Sequence, residues 1–231
     1  MSVRSLPGLV VGRRKSEQEY LDTVFARATL TGRTAEAIDA LDAFRAAGAA
    51  CGPPWYAVLL HVWRADPPKP GDARWAEKRG ELVARALERP SLLDGKPAAW
   101  LLELLGTQGE WADLLAVNER HFASAGDHTP CTLGWALHAA VVAEDPRLPQ
   151  VLEAARERLS RKPGWFHEHP AGWISMAGAC ARARAKDESR HYLRKAIERG
   201  LYTMEDLRRH PALTDAQDLV DDLTPVPQQR R

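Results

Sequence analysis

Four tryptophans recur in one local context along this 231-residue chain, and no other feature limits its fold as much. They stand in Gly52-Pro53-Pro54-Trp55, Pro97-Ala98-Ala99-Trp100, Thr132-Leu133-Gly134-Trp135 and Pro170-Ala171-Gly172-Trp173, each just after a Pro, Gly or Thr helix-start signal. Four residues beyond each lies a small or apolar residue, Leu59, Leu104, Ala139 or Ala177, which a helix places on the same face. The intervals between these tryptophans are 45, 35 and 38 residues. One helical hairpin of a repeat array uses about 34 to 47.

The segments between the tryptophans read as return helices. Ser189, Leu193, Ala196 and Ile197 share one face, and Gly200 supplies a stop. Leu148, Val151, Leu152, Ala155 and Leu159 do the same after a turn at Glu144-Asp145-Pro146. Trp111, Leu114, Leu115, Val117 and Phe122 follow a turn placed at Gly106 to Gly109. A proline-rich connector, Asp66 to Asp72, precedes a helix expected over Ala73 to Glu88, which ends before Pro90. A first hairpin without its tryptophan begins at a capping box, Ser16 with Glu19. It carries an apolar stripe of Leu21, Val24, Phe25 and Ala28, turns at Gly32, and returns from a Thr34 cap to Gly48. Thr203 caps a short helix to Arg209, and a last amphipathic piece ends near Leu223. Composition agrees: 37 Ala and 28 Leu against three Ile favour helix over sheet.

Charge and cysteine usage remove several function classes. Lys plus Arg number 32 and Asp plus Glu 31, so no global field draws the chain to nucleic acid or an anionic membrane. The basic arm Arg4 to Lys15 lacks interleaved aromatics and reads as a flexible tail. Cys51, Cys131 and Cys180 form no Cys-x-x-Cys pair, and a reduced, cytoplasmic setting is expected. No apolar run approaches the roughly 20 residues of a membrane helix.

On these residues the chain resembles a tetratricopeptide repeat (TPR) array. The fifth unit carries the resemblance best, with Trp173, Met176, Ala177 and Cys180 on its first helix and Ser189, Leu193 and Ala196 on its second. The first unit is similar through Leu21, Val24, Phe25, Ala28, Ala37, Leu41 and Phe44. Most units lack the family's tyrosine, and the intervals depart from its period of about 34. The resemblance implies an all-α, right-handed superhelix of about five hairpins, near 16–48, 53–89, 97–124, 131–162 and 170–200. A helical C-terminal cap over 203–223 would complete a domain spanning 16–223, with flexible ends at 1–15 and 224–231.

It also implies a non-catalytic scaffold that binds another protein or a peptide along a concave face lined by the first helices. In the family register that face includes Tyr56, Leu60, Trp63, Arg64, Leu101, Leu105, Ile174 and Arg182. An immunity- or inhibitor-type protein that blocks one toxin or enzyme is the rival reading, and pairing of two copies through terminal hairpins stays open. Trp55, Trp100, Trp135 and Trp173 are expected to wedge between hairpins. Trp63, Trp75, Trp111 and Trp165 fall outside that register and are the better candidates for exposed anchors.

Candidates for chemistry are few. His167-Glu168-His169, expected in a loop, is the best pair of metal ligands, but it lacks a third ligand nearby in sequence. Cys131 starts a helix, where a thiol can be activated, yet no partner signature accompanies it. Neither a Gly-rich phosphate loop, His-Glu-x-x-His nor Gly-x-Ser-x-Gly occurs. No cofactor, metal or nucleic-acid partner is expected.

Overall fold

The computed structural model describes residues 17–47, 52–69, 71–93, 95–122, 128–198 and 202–223, and these are all-helical, with twelve α-helices and three short 3-10 turns. Ser16, Gly48, Gly200, the basic arm 1–15 and the tail 224–231 lie outside the described residues. Two compact units are distinguished, one ending at Pro67 and the other beginning at Pro68. The boundary falls within the proline-rich connector, so the helices expected to form the second hairpin belong to different units.

In the first unit, α1 (Glu17–Thr31), α2 (Thr34–Ala46) and α3 (Pro53–Ala65) pack against one another. Gly32 makes the turn with φ +65°, a conformation glycine adopts without strain. Thr34 is the first residue of α2 rather than its cap: Arg33 precedes it, and the Thr34 hydroxyl donates to Asp66 at 2.5 Å. That bond ties the start of α2 to the end of α3. The core collects Leu21, Val24, Ile38, Leu41, Trp55, Leu59 and Leu60. The Trp55 indole N–H donates to the Leu41 carbonyl at 3.3 Å, which satisfies the polar edge of a buried ring. Tyr20 stacks on Phe44 and donates to the Ala40 carbonyl at 2.9 Å.

The second unit begins with α4, which spans Ala73–Glu88 and is capped by Asp72, whose carboxylate accepts from the amides of Arg74 and Trp75. Three helix-turn-helix pairs follow: α5 (Lys96–Thr107) with α6 (Trp111–His121), α7 (Pro130–Val142) with α8 (Leu148–Arg161), and α9 (Ala171–Arg182) with α10 (Lys186–Glu198). The first helices of these pairs also pack in succession, α5 on α7 and α7 on α9. The turn between α5 and α6 pivots on Gly109, φ +74°. Gly106 is not part of that turn: it sits inside α5 under the Trp135 ring, so close that a Cβ there would overlap the indole.

Helix α9 forms the centre of this unit. Every residue from Gly172 to Cys180 is buried, because α7, α8 and α10 surround it together with the 3-10 turn over Pro211–Ala216. Its small residues allow that crowding. A Cβ on Gly134 of α7 would lie 3.4 Å from the Gly172 Cα, and one on Gly178 would overlap the Ala212 carbonyl. The buried Ser189 hydroxyl of α10 donates to the Ala177 carbonyl at 2.8 Å, a cross-link worth about 1 kcal/mol net. Beyond α10, α11 (Met204–Arg209) opens with a Thr203–Asp206 capping box, and α12 (Gln217–Asp221) packs on α10.

Candidate functional site

A cleft of about 510 Å³ opens between α8 and α10 in the second unit, a size within the range of small-ligand and peptide-anchor pockets of about 300–1,000 Å³. Helical spacing brings its walls together. Helix α10 turns Glu188, His191, Tyr192 and Lys195 toward it, positions i, i+3, i+4 and i+7, which share one face. Helix α8 contributes Arg156, Leu159 and Ser160 in the same way. Trp173, from the first turn of α9, and His167, from a 3-10 turn over Trp165–Glu168, complete it.

The Arg156–Glu188 pair clamps the two walls. Arg156 donates from Nε to one Glu188 oxygen at 3.1 Å and from a terminal nitrogen to the other at 2.6 Å, the bidentate geometry that guanidinium and carboxylate planes favour. That hydrogen bonding holds the Glu188 carboxyl below the usual range. Cys180 lies buried beside the pair, and burial, reinforced by the negative charge of Glu188, pushes its thiol up to about 12. A thiol so disposed stays protonated at neutral pH. Burial followed by Glu188 and Cys180 also raises the Tyr192 phenol to about 12.

The apolar part of the cleft is aromatic. Trp173 and Tyr192 stack with ring centroids 5.7 Å apart and planes 17° from parallel, and the His167 ring lies 6.0 Å from the indole. Trp173 is 1% exposed, and its indole N–H has no hydrogen-bond partner among the described residues. On the rim, Lys195 pairs with Glu198 at 3.6 Å across one turn of α10.

A second cluster lies away from the cleft. His138 of α7 and His210, which precedes the Pro211 turn, meet edge to face at 5.4 Å, with Trp111 at 5.2 Å and Trp135 at 6.0 Å from His138. Burial, with the neighbouring His210, lowers His138 to about 4, and burial lowers His210 as well. His210 Nδ1 accepts the Ala212 amide at 3.3 Å, so that nitrogen carries no proton.

Six of the eight residues assigned from the sequence to a concave binding face are buried. Tyr56, Leu60 and Trp63 are at most 3% exposed within the first unit, and Leu101, Leu105 and Ile174 are fully buried in the second. Arg64 is exposed at the end of α3. Arg182 is engaged by Asp215 at 2.6 Å and Glu144 at 3.3 Å, joining the ends of α7 and α9 to the Pro211 turn. Of the off-register candidates for exposed anchors, none is exposed. Trp63 and Trp75 are each 3% exposed, while Trp111 and Trp165 are half-buried, the latter between the cations of Arg158 and Lys162 at 5.0 and 5.3 Å. Trp55 and Trp173 are buried, Trp135 covers Gly106, and Trp100 is half-buried.

His167 and His169 are both exposed, and the segment expected to be a loop forms a 3-10 turn. Among the described residues no three His, Cys, Asp or Glu side chains gather as a metal site, and no helix is long and apolar enough to cross a membrane. Cys131 is half-buried in the first turn of α7, where Thr129 and Thr132 supply the capping box. The cleft escaped the sequence because its walls come from segments about 30 residues apart; the spacing of Glu188, His191, Tyr192 and Lys195 was its one local signal. No protein-family model, curated protein or solved structure matches the chain.

Proposed function

We propose that the protein is a non-catalytic, TPR-like helical-repeat scaffold that binds another protein or a peptide. The observation that carries this reading is the order of packing in the second unit. First helices stack α5 on α7 and α7 on α9, while each second helix folds back on its own first helix. A hairpin in such an array covers only part of its apolar face, and its neighbour covers the rest. Successive second helices then face one another across grooves, and the cleft between α8 and α10 is one of these. With six of the eight expected contact residues in the interior, the partner surface shifts to this cleft. The right-handed superhelix of five hairpins belongs to the same proposal.

Affinity purification of the tagged chain from its own host, followed by hydrogen exchange on the isolated complex, tests the reading. The expected result is a stoichiometric partner that slows exchange in α8 and α10. A captured enzyme that loses activity in a one-to-one complex would instead favour an inhibitor. The scaffold is overturned if no stoichiometric partner is retained.

A further inference from the structure

We infer that the C-terminal segment Thr203–Leu223 is a strap across α9 whose latch, His138 of α7 against His210 of the strap, opens in acid while the helix pairs beneath it stay folded. Three sets of contacts support this, whether or not the chain is a scaffold.

The first is the seat of the strap. Leu207, Ala212, Leu213, Ala216, Leu219 and Val220 are buried, with the Pro211 turn on α9 and α7 and α12 on α10. The closest approach is at Gly178, where a Cβ would overlap the Ala212 carbonyl. Close packing of small residues falls off steeply with distance, so a strap that lifts slightly at this point loses most of its hold there. Lifting uncovers the small-residue face of α9.

The second is the imidazole pair. The two rings meet edge to face at 5.4 Å across the seam, both half-buried, and protonating both sets two like charges against each other. A proton on His210 Nδ1 also turns the acceptor of the Ala212 amide into a donor, so the first bond of the Pro211 turn is lost. Burial and then His210 oppose a proton on His138, and burial opposes one on His210. Opening separates and wets the rings, so the open form binds protons that the closed form excludes, and falling pH favours it. Helix α7 carries no acid or base besides His138 and the Cys131 thiol, and α5 adds Lys96 and Glu103, of opposite sign. Other groups on the packed elements are engaged: Asp113 of α6 with Arg79, Glu119 with Arg147, Arg156 of α8 with Glu188, and Arg209 of α11 with Glu205. His121 of α6 bonds to the Ala86 carbonyl, and His167 lies against Trp173.

The third is a row of ion pairs along the edge of the strap. Asp215, Asp218 and Asp222 meet Arg182 at 2.6 Å, Lys186 at 2.8 Å and Arg190 at 3.9 Å. A hydrogen bond from Lys186 holds the Asp218 carboxyl below its usual range, so that pair persists after the imidazoles have charged and is lost only in stronger acid. Imidazoles release the strap first and carboxylates later, both in the same direction. The pairs are largely exposed and individually weak, which leaves the imidazole seam to decide the first stage.

The test is native-state hydrogen exchange of the full-length protein, resolved by NMR at pH 7.5, 5.5 and 4.5 and expressed as protection relative to the intrinsic rate at each pH. The strap is reported by the amides of Ala212, Leu213, Asp222 and Leu223, and the helices beneath it by those of Leu114 and Val151, all hydrogen-bonded in the closed form. Protection in the strap should fall by roughly 50-fold between pH 7.5 and 4.5, as a group held at about 4 when closed and 6.5 when open requires. The reference amides should lose less than about fivefold over the same range. His138→Phe should shrink the loss in the strap about tenfold. His210→Asn keeps a side-chain oxygen to accept the Ala212 amide but takes no proton, and it should shrink the loss about fivefold with protection at pH 7.5 retained. Equal losses in the strap and the reference helices, a strap whose protection does not change with pH, or a loss of wild-type size in both variants would each overturn the latch.

Discussion

Replacing His138 with phenylalanine should make the second unit less sensitive to acid. Burial and His210 hold the His138 imidazole at about 4, against an ordinary value of 6.5. Between those limits the unfolded chain binds a proton that the folded chain excludes, so stability falls as pH falls. The His138 contribution is intact above pH 6.5 and is lost by about pH 4. At about 1.4 kcal/mol per pH unit, the interval corresponds to an upper limit of ~3 kcal/mol, and partial solvent access brings it nearer ~2 kcal/mol. His210 adds in the same direction, and its protonation at Nδ1 also removes the acceptor of the Ala212 amide. Urea unfolding at pH 7.5, 6.5, 5.5 and 4.5 gives stability against pH, and a site-resolved NMR titration of the histidines identifies the group responsible. The wild type should lose more stability than His138→Phe over that range, by ~2 kcal/mol. An imidazole at position 138 that titrates near 6.5 in the folded protein, or equal acid slopes for the two proteins, would refute the argument.

Three further outcomes follow from packing. Gly178→Ala drives a Cβ into the Ala212 carbonyl, and overpacking of about 1–3 kcal/mol should lower the thermal midpoint by several degrees. Gly80, whose Cβ would meet nothing within 4 Å, is the control, and Gly80→Ala should hold or raise that midpoint. Trp63→Ala should destabilise the first unit by about 3–5 kcal/mol, measured by denaturant unfolding, because the ring is 3% exposed; a loss below ~1 kcal/mol would contradict its burial. Cys180 should react with a thiol reagent only as fast as the second unit opens, so a rapid reaction under native conditions would contradict the buried, protonated thiol.

Local signals carried most of the helix boundaries. The Asp72 cap and Pro90 bracket α4 at Ala73–Glu88, and Thr203 with Asp206 sets α11 at Met204–Arg209, because caps act within one turn. Tertiary packing decided the rest. Helix α3 buries Trp55, Tyr56, Val58, Leu59, Leu60, Val62 and Trp63, an arc too wide for a register that assigns one side inward and the other to a partner. Gly106 resembles a turn residue in sequence, yet it is small because the Trp135 indole lies on it. His138 and His210 meet across 72 positions, and Arg156 and Glu188 across 32, separations at which no local pattern operates.

The most direct test is affinity purification of the tagged chain from its native host, with hydrogen exchange measured on the isolated complex and on the free protein. A stoichiometric partner should be retained and should slow exchange in α8 and α10. A stoichiometric partner that leaves exchange in α8 and α10 unchanged would contradict the claim that the cleft between α8 and α10 is where this chain binds, and the absence of any such partner would contradict the scaffold itself.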